Sequence, residues 1–124
     1  MNKVWLEYLA VAGAGALGAV ARLFVGRLFP WNGNGFPIGT MLINITGSLF
    51  LGWFMIKIGG KVSTPMQLAI GTGFVGAYTT FSTYMFESDS MLRGGDSIRA
   101  IVYLLGSLVL GLIAVRAGVI LAKM

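Results

Sequence analysis

The chain has 124 residues, 56% of them hydrophobic and only 10% charged, with a mean hydropathy of +0.84; a water-soluble domain carries about 25% charged residues. With no cysteine and no histidine, disulfides, thiol nucleophiles, imidazole acid–base chemistry and most transition-metal sites are excluded, and no enzyme is expected. The net charge of +5 comes from residues at the ends of apolar runs, as membrane boundaries require, and no basic stripe interleaved with aromatics suggests nucleic acid.

A membrane helix needs about 20 mostly apolar residues, and four segments qualify, so an all-α integral membrane protein in a single domain is predicted. The first spans about 5–28. Lys3, an apolar run and small residues before Arg22 outline a secretory leader, but Glu7 interrupts the run and the rest of the chain is equally apolar. Gly13, Ala14, Gly15 and Gly18 offer surfaces for close backbone approach, within one chain or between copies. Arg22 either snorkels to the headgroups or brings positive charge to a pore mouth, and Arg116 admits similar readings.

Pro30-Trp31-Asn32-Gly33-Asn34-Gly35 is a turn cluster. The second helix, about 38–58, carries Thr40, Asn44 and Ser48 at four-residue spacing, hence on one face. Polar groups inside a span are costly and face a protein interior or a water path. Asn44 has two amide donors, which either bond a neighbouring helix or face a passing anion.

Ser63-Thr64-Pro65 starts the third helix, about 65–92, closed by Arg93-Gly94-Gly95-Asp96. Gly71, Gly73 and Gly76, followed by Thr79 and Thr80, predict a break near the middle of this span, because glycine and β-branched residues weaken helices. A broken membrane helix needs other groups to satisfy its backbone, and its freed carbonyls can hold a hard cation such as Na+. Phe81 and Tyr84 are placed to share a face; their positive ring edges could meet an anion, or simply pack. Glu87 either binds protons or cations or pairs with Arg93 or Arg99.

The fourth helix, about 97–123, presents Tyr103, Ser107 and Gly111 as a narrow polar stripe. An even number of spans puts Lys3, Lys57, Lys61 and Lys123 on one side and Arg27, Arg93 and Arg99 on the other. This near balance suits a chain that inserts both ways and pairs with an inverted copy, or gives a weak orientation signal.

The stretch G73-F-V-G-A-Y-T-T-F-S-T-Y, followed by Glu87, resembles the third-helix signature of the CrcB/Fluc fluoride-channel family. G39-T-M-L-I-N44, G15-A-L-G-A-V-A-R22 and G106-S107 are similar to its other motifs, so the resemblance covers the whole chain. It implies an antiparallel, dual-topology homodimer in the cell inner membrane that passively exports fluoride along two pathways at the subunit interface. By motif position it implies Phe81, Tyr84, Asn44, Thr40, Tyr103, Ser107, Thr83 and Glu87 along the fluoride pathway and Arg22 near an entrance. The backbone carbonyls of Gly76 and Thr79 are implied to hold a central structural Na+. Tyr84 stands where most relatives have phenylalanine, and Gly111 where a second track serine can occur. The alternative is a small multidrug-resistance-type proton-coupled exporter, which needs a carboxylate deep in a helix; Glu7 lies too near the first helix's start. A third class is a non-transporting assembly subunit whose polar stripes only pack.

Overall fold

The computed structural model describes residues 2–124, and every regular element among them is helical. Helix α1 runs Lys3–Leu28, opened by the Asn2 side chain, which accepts the Val4 N–H at 3.3 Å. The loop 29–37 turns through Gly33 and Gly35, both at positive φ, the region glycine enters without steric cost. Helix α2 runs Ile38–Lys57, and a short 3₁₀ turn, Gly59–Lys61, follows it.

The third helix is two helices. Its first half, α3 (64–78), comprises Thr64–Leu68, a π-helical stretch Ala69–Val75 and Gly76–Tyr78. The Gly76 N–H reaches back five residues to the Gly71 carbonyl, the mark of the widened turn. Thr79 and Thr80 then adopt extended backbone, and the second half, α4, runs Phe81–Arg93. The expected break therefore lies at residues 79–80. Helix α5, Ser97–Lys123, closes the fold after a turn through Gly95.

Helices α1, α2 and α5 are each long and apolar enough to cross a membrane; the third helix, split at its middle, offers no single segment of that length. The chain is thus an all-helical membrane protein. Its four spans pair off: α1 lies along α3, and α2 lies along α5, with α4 also against α5. Small residues set these contacts. A Cβ on Gly18 of α1 would stand 2.2 Å from the Phe74 carbonyl oxygen, and one on Gly118 of α5 2.1 Å from that of Leu49 in α2. Gly15 and Gly18 of α1 thus serve contacts within one chain, whereas a Cβ on Gly13 would meet nothing within 4 Å. Tyr84, Met91, Ala100 and Tyr103 form the buried cluster between α4 and α5, with Trp31 of the first loop packed against it. Only Gly18 of α1 is buried, leaving most of that helix facing outward.

Candidate functional site

A helix that stops in mid-membrane leaves amide groups without partners, and in lipid each must be satisfied by protein. At residues 79–80 the chain does this with side chains from two other helices. The Thr80 N–H donates to Asn44 Oδ1 (2.8 Å), and Asn44 Nδ2 donates to the Thr80 carbonyl (3.1 Å). The side chain of Asn44 thereby pairs with the Thr80 backbone as a neighbouring strand would. Arg22 Nε donates to the Ala77 carbonyl at 2.9 Å, at the end of α3. So Arg22 reaches inward to the break and does not snorkel. Thr80 Oγ1 caps α4 by accepting the Thr83 N–H (3.2 Å) and donates to Thr83 Oγ1 (3.0 Å).

Above the break a second polar group is closed on itself. The Glu87 carboxylate, only 8% exposed, accepts from Thr40 Oγ1 (3.0 Å) and from the Tyr103 hydroxyl (3.2 Å). It pairs with neither arginine: Arg93 holds Asp89 (2.7 Å), and Arg99 lies 3.2 Å from Asp96. Three helices, α2, α4 and α5, therefore meet in one hydroxyl–carboxylate–hydroxyl contact. A buried carboxylate is tolerable when its lone pairs receive such donors.

The aromatic residues divide by exposure. Phe81 is 72% exposed on this single chain and meets Tyr84 edge-on, with ring centroids 6.2 Å apart. Tyr84 is buried; its ring meets Tyr103 edge-on at 5.2 Å and its hydroxyl donates to the Leu104 carbonyl. The Tyr84 hydroxyl is thus directed into α5.

Three open cavities run through these groups. One of about 240 Å³ is lined by Asn44, Ser48, Thr79, Thr80, Phe81 and Tyr84 among others. A second, about 300 Å³, lies between Asn44, Ser48 and Tyr84 on one side and Ser107 and Gly111 on the other. The Ser107 Oγ is buried there with no hydrogen-bond partner among the described residues. A third, about 470 Å³, is lined by Arg22, Arg27, Thr40, Thr80 and Thr83. Asn44 and Tyr84 line the first two, Thr80 lines the first and the third, and Thr40 joins the third to the Glu87 contact, whereas Gly76, Tyr103 and Glu87 line none of the three. Thr80, which the sequence implicates only as a residue that weakens the helix, is the one that bonds across the break. It is one of four hydroxyl residues within five positions, and only its place at the break gives it four bonds. Tyr78 is an omission: its hydroxyl lies 2.8 Å from Thr46 Oγ1 on α2.

The oxygens left free at the break are backbone carbonyls; the described residues hold no cluster of three or more acidic, histidine or cysteine side chains. In a continuous helix Gly76 O would receive the Thr80 N–H and Thr79 O the Thr83 N–H. Asn44 takes the first donor and Thr80 Oγ1 the second. Gly76 and Thr79 therefore keep carbonyls that their own helix does not use, which fits a hard monovalent cation.

A membrane-embedded broken helix, pinned by an amide and a guanidinium and flanked by hydroxyls and aromatic edges, defines the class of an ion- or solute-conducting membrane protein. The model of the CrcB-like proteins (Camphor Resistance, CrcB) matches residues 9–119. The protein named "Fluoride-specific ion channel FluC" of Chlorobium phaeobacteroides (strain BS1) is 39% identical over 126 residues, covering 100% of this chain and 98% of that one. A protein of the same name from Nitrobacter winogradskyi is 42% identical, covering 93% of this chain and 94% of its own, and "Fluoride-specific ion channel FluC 2" of Moorella thermoacetica is 38% identical, covering 91% and 93%. The chain belongs to the CrcB-like family.

Proposed function

We propose that this protein is a passive, fluoride-selective channel of the cell inner membrane that lowers cytoplasmic fluoride. The observation that carries this reading is the full-length similarity to proteins named for that activity, in a chain whose polar groups converge on one broken helix. Fluoride is small and strongly hydrated, so a pathway must offer donors in place of water without binding too tightly. Asn44 Nδ2 has a second hydrogen beyond the one given to Thr80, and Ser107 Oγ has an uncommitted one beside the same cavity. The Phe81 ring edge adds weak positive potential nearby. Thr83 and Arg22 line the wider cavity, where the guanidinium favours anion entry. Thr40, Tyr103 and Glu87 form the polar contact at the far end, with Tyr84 packed beneath it.

The pathway is completed by a second, inverted copy of the chain. Phe81, so exposed on one chain, and the open first cavity would meet that copy, giving two pathways at the interface. Gly76 and Thr79 from both subunits would hold one structural Na+, whose chemistry here is to compensate the unpaired carbonyls and raise the local positive potential.

Liposomes loaded with fluoride and carrying the purified protein test the reading. Fluoride should leave down its gradient, chloride should not, and no pH gradient should be needed. Equal chloride flux would end the assignment, and flux that requires a pH gradient would favour the proton-coupled exporter instead.

A further inference from the structure

The Asn44–Thr80 pair has a consequence that reaches beyond the anion pathway. Asn44 Oδ1 holds the Thr80 N–H that would otherwise close on the Gly76 carbonyl. The same threonine, through Oγ1, holds the Thr83 N–H that would otherwise close on the Thr79 carbonyl. Two carbonyls are thus released by one residue, and Asn44 keeps that residue extended, at φ −145° and ψ 114°. Asn44 also lines the cavity containing the unpartnered Ser107 hydroxyl.

We infer that Asn44 is the positioning residue of the cation site: its amide holds the break open so that the Gly76 and Thr79 carbonyls remain available, and it thereby links cation binding to the anion pathway. This rests on the reading of those carbonyls as ligands of Na+. The acceptor half of the amide does the holding. An aspartate keeps an acceptor for the Thr80 N–H but loses the donor that faces Thr80 O and the anion path. An alanine loses both, and Thr80 N–H is then free to close on Gly76 O.

The test is thermal unfolding of the full-length protein in detergent, in NaCl against N-methylglucamine chloride at equal ionic strength. Binding to the folded state alone raises the midpoint, so the unmodified protein should melt several degrees higher in Na+. Asn44→Ala should lose that increment. Asn44→Asp should keep it while its fluoride efflux falls at least tenfold. Ser107→Ala, which touches the anion cavity alone, should also keep it. An Asn44→Ala protein with the full Na+ increment, or an Asn44→Asp protein without one, would overturn the inference. If Asn44→Ala does not fold, Asn44→Leu, of similar shape and without an acceptor, takes its place and should likewise lose the increment; a full increment there would overturn the inference. An unmodified protein indifferent to Na+ would overturn the cation site and the inference with it, whereas fluoride efflux judges the channel separately.

Discussion

Tyr84 illustrates how a single hydroxyl is absorbed. Its ring holds the edge-on place between Phe81 and Tyr103, and its oxygen donates to the Leu104 carbonyl, which is already inside a helix. Tyr84→Phe leaves no buried donor behind, so it should cost only about 0.5–1.5 kcal/mol in denaturation, with fluoride flux largely intact. A collapse of flux would place the hydroxyl on the ion's route. Phe81→Ile, which removes the ring edge from an otherwise exposed site, should slow fluoride strongly without changing the elution volume on size-exclusion chromatography; unchanged flux would remove Phe81 from the pathway. The residue types at these positions were readable from the sequence because lipid does not stabilise polar groups. Their partners were not. Glu87 has two arginines within reach along the chain, yet its donors are Thr40 and Tyr103, 47 and 16 residues away. Only the packing of α2 and α5 against α4 decides that.

Among the elements, α2 and α5 are held by glycine against backbone. At Gly118 an added Cβ would lie 2.1 Å from Leu49 O and 2.8 Å from Trp53 N, both main-chain atoms that cannot rotate away. Gly118→Ala should therefore push the helices apart and cost about 1–3 kcal/mol, measured by unfolding in detergent of increasing denaturing strength. Gly13, where an added Cβ meets nothing within 4 Å, is the control and should tolerate alanine. The helix ends were legible in sequence to within two residues or so. Turn clusters marked them, with Pro65 in the first turn of α3 and Gly95 closing the turn before α5. The break was legible as a region of residues that weaken helices. Its position at 79–80 was not, because it is fixed by Asn44 and Arg22 from outside the segment.

For the molecule as a whole, the exposed apolar surface of α1 and the open cavity beside Phe81 belong to lipid or to another copy of the chain. The lysines and arginines divide almost evenly between the two ends, and orientation follows the excess of these residues on one side. Adding three lysines to the Lys3–Lys123 end should force one orientation. If function needs an inverted pair, that variant should lose fluoride efflux and regain it when co-expressed with a variant biased the opposite way by lysines in the loop 29–37. Full activity of either variant alone would exclude the antiparallel dimer.

The first loop carries a further implication, for biogenesis. Arg99 Nη1 donates to both the Gly33 and Gly35 carbonyls at 2.9 Å, across 66 and 64 residues of sequence. Contacts so distant along the chain close late. As the protein leaves the ribosome, the loop after the first helix has no clasp until the opening turn of the last helix emerges. The end of the bundle that carries Trp31 is therefore sealed only when synthesis is nearly complete, and a nascent chain halted before Ser97 would hold that loop open to proteases.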